Sequence, residues 1–287
     1  MNANTLLISV DQLQEIIKNQ QLPFLIFDCR FDLSKPALGY EQFIQGHIPN
    51  ARYVDLEKNL SGPKNPLQGR HPLPTPEEWA QTRANLGISE NTLVILYDFL
   101  ENTYSARMWW MLKAVGHQHI HILDGGYSAW LSAGGVVEVG KESHCTPISA
   151  LPPAVFEGLI KMEDIQKNLL NPSFTVLDAR ASERFRGDVE PLDPIAGHIP
   201  GALNRPYKLN LNQSNLFKSP LELQLEFNHL QSQASQVVHQ CGSGVTACHN
   251  LLAMELAGIE GSFLYAGSWS EWCHHPENPI ALGNSSN

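Results

Sequence analysis

One pattern occurs twice in this chain, at a spacing near half its 287 residues, and it restricts the fold more than any other feature. Residues 8–19 read ISVDQLQEIIKN and residues 160–169 read IKMEDIQKNL, each an opening strand residue followed by an amphipathic helix. In the first copy Ser9 and Gln12 have capping-box spacing. A buried-strand run follows in both, ending in acid-x-Arg: LIFDCR at 25–30 and TVLDAR at 175–180. Next come GHIPNA at 46–51 and GHIPGA at 197–202, then a second apolar strand, LVILYD at 93–98 and QVVHQC at 236–241. Each copy closes on glycine and tryptophan, DGGYSAW at 124–130 and YAGSWSEW at 265–272. Strands alternating with helices predict α/β units, each built on a mainly parallel sheet flanked by helices.

Two similar domains are therefore expected, residues 1–140 and 156–287. The linker over 141–155 falls in the Pro-rich, aperiodic stretch VGKESHCTPISALPPA. The copies differ at the end of the second strand. The first has Asp98, followed by FLENTYSAR; the second has Cys241, followed by GSGVTA. Since a carboxylate cannot do thiolate chemistry, only the second domain is expected to be catalytic, with the first as scaffold and one wall of the site.

Cys241 is predicted at a strand end, in a tight loop, at the mouth of a helix marked by Val245, Cys248, Leu251, Leu252 and Leu256 and stopped at Gly258. A helix start offers free N–H groups and a positive dipole end, and the glycines let successive amides form an anion-binding nest. A thiolate placed there is stabilised and acts as a nucleophile at neutral pH, provided the sulfur is reachable and the amides face it. The loop has no lysine for a phosphate-binding GxxxxGK[ST] motif. A cysteine phosphatase needs an arginine six places after its cysteine, where this chain has Ala247. Cys241 and Cys248 are not spaced as CxxC, so neither a zinc site nor a dithiol redox motif is supported.

A formal net charge of −10 disfavours nucleic acid as a partner. No 18-residue apolar run predicts a membrane span, and the N-terminus lacks the pattern of a signal peptide. Five cysteines without a framework pattern point to a reducing cytoplasm.

The doubled GHIP, the DGGYSAW segment and the CGSGVTA loop resemble the two-domain rhodaneses, the thiosulfate and 3-mercaptopyruvate sulfurtransferases, over about residues 5–275. The resemblance implies two tandem rhodanese-like domains and a ping-pong reaction that needs no metal or organic cofactor. In it Cys241 takes sulfur from a small anionic donor as a persulfide and passes it to cyanide or a thiol, a thioredoxin-like protein among the acceptors. The amides of Gly242, Ser243, Gly244, Val245 and Thr246 would stabilise the persulfide. The loop is similar to that of the mercaptopyruvate enzymes, whereas thiosulfate enzymes commonly carry basic residues in place of Gly242 and Ser243. By the same resemblance Ser243, His71 in GRHPLP and Glu57 in YVDLE form a Ser–His–acid arrangement, which would put the site at the domain interface. Arg184 matches one carboxylate-binding arginine. The second is expected nine residues on, where this chain has Asp193; Arg70 and Arg186 are the candidates to replace it. A thiosulfate donor and a sulfur-carrier module relaying persulfide to a partner protein are the alternatives. A monomer suffices for such an internal site.

Features shared by both copies read as structural. Asp28–Arg30 and Asp178–Arg180 are expected to be ion pairs at strand ends, and His47 and His198 packed, hydrogen-bonded histidines. Trp109, Trp110, Trp130, Trp269 and Trp272 read as core or interface aromatics. Cys29, Cys145 and Cys248 read as inert thiols.

Overall fold

The computed structural model describes residues 6–19, 23–141, 146–231 and 236–284. Cys145 lies outside them. The chain divides into two compact units. The first holds residues 1–62, 74–157 and 213–216; the second holds 63–73, 158–212 and 217–287. The segment 63–73 thus packs with the second unit although it falls early in the sequence.

The first unit runs β1 (Leu7–Ile8), α1 (Val10–Asn19), β2 (Phe24–Asp28), α2 (Leu38–Gln45), β3 (Ala51–Tyr53), α3 (Pro76–Asn85), β4 (Leu93–Tyr97), α4 (Thr103–Ala114), β5 (Ile120–Leu123) and α5 (Gly126–Ser132). Its five strands are all parallel, in the order β1-β5-β4-β2-β3. The predicted capping box is present: Ser9 N–H donates to Gln12 Oε1 at 2.8 Å and Gln12 N–H to Ser9 Oγ at 3.3 Å.

The second unit runs α6 (Met162–Leu170), β6 (Thr175–Asp178), α7 (Ser182–Arg186), β7 (Leu203–Asn204), α8 (Pro220–Gln231), β8 (Val237–Gln240), α9 (Thr246–Leu256), β9 (Ser262–Leu264) and α10 (Ser268–Trp272). Four parallel strands lie in the order β7-β6-β8-β9. The counterpart of β1 is reduced to a single parallel bridge, Leu159 to Leu264. Parallel strands need both faces covered, so β4 reads as a continuous apolar run rather than an alternating one, and all four residues of β8 are buried although His239 and Gln240 are polar.

The repeat is visible in side-chain chemistry as well as topology. Arg30 grips Asp28 at 2.6 Å, donates to Gly46 O at 2.7 Å and lies over the Tyr127 ring. Arg180 does the same with Asp178 at 2.7 Å, Gly197 O at 2.7 Å and the Trp269 ring. His47 Nδ1 lies 2.8 Å from Phe43 O and stacks on Phe43; His198 Nδ1 lies 2.8 Å from Phe185 O and stacks on Phe185. Both pairs of expectations hold. Trp130 packs in the first core, and Trp269 and Trp272 pack with Ile165, Val176 and Phe185 in the second. Burying a large apolar side chain contributes about 1.5–3 kcal/mol.

The two second-strand ends behave differently. In the first unit the Asp98 carboxylate accepts N–H bonds from Asn102 (2.8 Å), Tyr104 (2.8 Å) and Ser105 (3.3 Å). It thereby fills the start of α4 with the protein's own anion. Burial drives its pKa up to about 6, against the lowering effect of those N–H groups. In the second unit the corresponding position is Cys241, and the helix start stays open. No described helix is long and apolar enough to cross a membrane.

Candidate functional site

Cys241 follows β8 directly, and the segment before α10 fixes the loop it opens. Cys241 N–H donates to Ser268 Oγ at 3.1 Å, and Ser268 Oγ donates to Tyr265 O at 2.9 Å. Trp269 N–H donates to Cys241 O and Ser270 N–H to Gly242 O, at 3.0 and 2.9 Å. The first unit repeats this clasp with Tyr127 N–H to Asp98 O and Ser128 N–H to Phe99 O. Ser268 takes φ +57°, a left-handed conformation uncommon outside glycine, which its two buried hydrogen bonds maintain. Gly244 has φ +74°, and a Cβ there would lie 2.3 Å from Ala266 O, so only glycine suits the turn.

Beyond the clasp the loop's donors are open. Among the described residues, the backbone N–H groups of Gly242, Ser243, Val245 and Thr246 donate to no protein acceptor. They lie at the N-terminal end of α9, as an anion nest requires. Cys241 itself is only 2 % exposed, so its sulfur sits in a largely enclosed niche. The physical reason is the clasp, which draws the strand end beneath α10, and enclosure strengthens the nearby fixed charges.

Three arginines and three acids surround this loop within the second unit. A methyl placed on Gly242 would sit 3.1 Å from Arg70 Nη2, 3.4 Å from Arg184 Nη1 and 3.5 Å from Arg184 Nη2. The two guanidinium groups therefore converge beside the residue that follows the cysteine. Arg70 Nη1 donates to Asp193 Oδ1 at 2.6 Å. Arg184 Nη2 reaches Glu190 Oε1 at 2.6 Å and Asp193 Oδ2 at 3.4 Å. Glu190 also accepts from Arg180 Nη1 at 3.3 Å. Burial raises the Asp193 pKa, and Glu190 adds to the rise while Arg70 and Arg184 oppose it. For Arg180, burial works against the charge, yet the contacts with Asp178 and Glu190 outweigh it and raise its pKa.

His71 Nδ1 lies 2.8 Å from Ser243 Oγ, with both side chains buried. His71 belongs to the 63–73 segment, as does Arg70, whose N–H is anchored on Ser270 Oγ at 2.9 Å. Glu57, the acid expected to complete the set, belongs to the first unit, where its N–H donates to Asp55 Oδ1. Arg186 is engaged with Asp188 at 2.7 Å, so of the two candidate replacements it is Arg70 that reaches Gly242. Cys248 is buried and donates to Gly244 O at 3.3 Å, tying the helix to the loop.

The rhodanese-like domain family matches this chain twice, over residues 9–133 and 161–275. The chain belongs to the rhodanese family. Among its relatives is a Pseudomonas aeruginosa protein named "Probable 3-mercaptopyruvate sulfurtransferase", 41% identical over 288 residues that cover 97% of this chain and 98% of the relative. The thiosulfate sulfurtransferase of Cricetulus griseus is 33% identical and covers 97% and 96%. The solved structure of 3-mercaptopyruvate sulfurtransferase from Leishmania major superposes with a TM-score of 0.81 at 30% identity, covering 93% of this chain and 74% of that one. This rhodanese is accordingly a sulfurtransferase enzyme.

Arg180 and Glu190 were not legible as site residues of this rhodanese. Arg180 recurs as Arg30 in the other half, which marks it as structural, and its second contact with Glu190 arises only on folding. Glu190 carries no motif. Ser268 lies in a recognisable Gly–Trp segment, but its hydrogen bond to Cys241 spans 27 residues and leaves no local pattern.

Proposed function

We propose that the second unit transfers sulfur from 3-mercaptopyruvate to a thiophilic acceptor, cyanide or a thiol, through a persulfide on Cys241. The observation that carries this reading is the convergence of Arg70 Nη2 and Arg184 Nη1 beside Gly242, next to the cysteine. Two guanidinium edges suit a carboxylate by charge-assisted hydrogen bonding. A donor carboxylate held there would bring its sulfur toward Cys241.

The thiolate attacks the donor sulfur, forming an S–S bond. The donor C–S bond breaks, its electron pair passes to carbon, and a proton delivered there gives pyruvate. The Ser243–His71 pair, 2.8 Å apart, is suited to supply that proton. The terminal persulfide sulfur is anionic and is stabilised by the unpaired amides of Gly242, Ser243, Val245 and Thr246, with Gly244 supplying the turn. An acceptor such as cyanide then attacks that sulfur, the S–S bond breaks, and the Cys241 thiolate returns.

The test is intact-protein mass spectrometry after exposure to each donor, with steady-state rates alongside. A gain of one sulfur on Cys241, lost on adding cyanide and absent in Cys241→Ser, is expected, with 3-mercaptopyruvate the better donor. No added sulfur would refute the persulfide, and a clear thiosulfate preference would refute the donor. Negligible turnover with small acceptors, beside rapid transfer to a thioredoxin-like protein, would favour the relay function.

A further inference from the structure

The donor-side cations are already half-occupied. Arg70 spends Nη1 on Asp193, and Arg184 spends Nε and Nη2 on Glu190 and Nη2 also on Asp193. Of the terminal nitrogens, Arg70 Nη2 and Arg184 Nη1 stay available, and these are the atoms that approach Gly242. Asp193 and Glu190 side chains are 2% and 3% exposed, so water does little to screen them. Counting formal charges, Arg70 and Arg184 are balanced by Asp193 and Glu190, and Arg180 by Asp178. The wall beside the cysteine thus offers directed N–H donors with no net positive charge.

We propose that Asp193 is a specificity-determining residue of the donor site, restricting the paired guanidinium groups of Arg70 and Arg184 to singly charged donors and disfavouring dianions. This rests on the persulfide reading of Cys241. A monoanionic carboxylate can accept one hydrogen bond from each free edge. A dianion brings a second charge that no cation is left to balance, and it meets the Asp193 carboxylate at close range. The same carboxylate also holds Arg70 in place, and the two roles separate by charge. Loss of positioning alone would weaken every anionic donor alike. Loss of the balancing charge would favour dianions selectively.

The experiment compares wild type, Asp193→Asn and Asp193→Glu on 3-mercaptopyruvate and thiosulfate, with persulfide mass on Cys241 read for each. Competitive inhibition by pyruvate, a monoanion, and sulfate, a dianion, serves as a readout that needs no turnover of the probe. In Asp193→Asn the thiosulfate-to-mercaptopyruvate ratio of kcat/KM is expected to rise by about tenfold, through KM, given one charge removed at short range in a poorly screened site. Sulfate inhibition should strengthen in parallel, and Asp193→Glu should keep the wild-type ratio. Should Asp193→Asn not fold, Asp193→Ser gives the same comparison with a smaller neutral side chain. An unchanged ratio in a folded neutral variant, or an equal shift in Asp193→Glu, overturns the proposal while leaving the sulfurtransferase reading intact. If wild type gains no sulfur from either donor, both readings fall together.

Discussion

Two glycines on either side of Ser243 make the sharpest test of the site geometry. At Gly242 the backbone is not in the left-handed region, and the atoms nearest an added methyl are the ends of two arginine side chains, at 3.1 Å for Arg70 Nη2 and 3.4 Å for Arg184 Nη1. Those ends can give way, so folding should tolerate Gly242→Ala and gain the ~0.4–1 kcal/mol that reduced unfolded-state freedom provides. The methyl nonetheless occupies the space where both free guanidinium edges meet. Losing one charge-assisted hydrogen bond to the donor costs about 1.5–3 kcal/mol, roughly 10–100-fold in KM. At Gly244 the situation reverses. A side chain at φ +74° costs about 1–2 kcal/mol, and the Cβ would lie 2.3 Å from Ala266 O, a backbone atom that can move only by shifting the clasp. Overpacking adds about 1–3 kcal/mol. Thermal melts with Michaelis–Menten kinetics on 3-mercaptopyruvate would separate the two. Gly242→Ala should match or slightly exceed the wild-type melting temperature and raise KM, whereas Gly244→Ala should lose several degrees and fall chiefly in kcat. An unchanged KM in Gly242→Ala would refute the placement of the donor between the arginines.

Other expectations follow from the same contacts. Arg70→Ala should raise KM for anionic donors by roughly tenfold or more, while Arg186→Ala, whose partner is the exposed Asp188, should stay within about twofold of wild type; parallel kinetics would show it. Ser268→Ala removes the acceptor of the Cys241 N–H in a fully buried position, and should cost about 1–3 kcal/mol in denaturant titration with a fall in kcat. His239 in β8 is wholly buried, neither ring nitrogen has a partner, and burial lowers its pKa from 6.5 to about 3. Because the folded value is depressed, its stabilising share is complete above pH 6.5 and is lost as pH falls toward 3. Between about pH 6.5 and 5 that amounts to ~2 kcal/mol. His239→Leu should remove this decline, leaving the shallower slope set by the other depressed histidines, His117 and His198, which burial also lowers; urea melts across that pH range would reveal an unaltered slope if the reasoning fails.

The doubled α/β architecture is legible along the chain, because the repeat spacing, the apolar strand runs and the glycine stops are local properties of neighbouring residues. The loop is legible there too. Cys241 sits at a strand end before α9, with the glycines where the turn needs them. The histidine and Asp–Arg pairs were readable as structural from their presence in both halves. Tertiary structure alone decided which charges meet. Asp193 in the sequence is a missing arginine; folded, it is the carboxylate that holds Arg70, from a segment 123 residues away, beside Gly242. Arg70 and Arg186 were indistinguishable by residue type, and only packing sent one to the loop and the other to Asp188. Nor did any local pattern reveal that Cys241 is nearly enclosed, since Ser268, Trp269 and Ser270, which hold that strand end, are distant in sequence. Periodicity records what a residue's neighbours along the chain require, whereas an ion pair or a clasp between remote segments exists only once the core has brought them together.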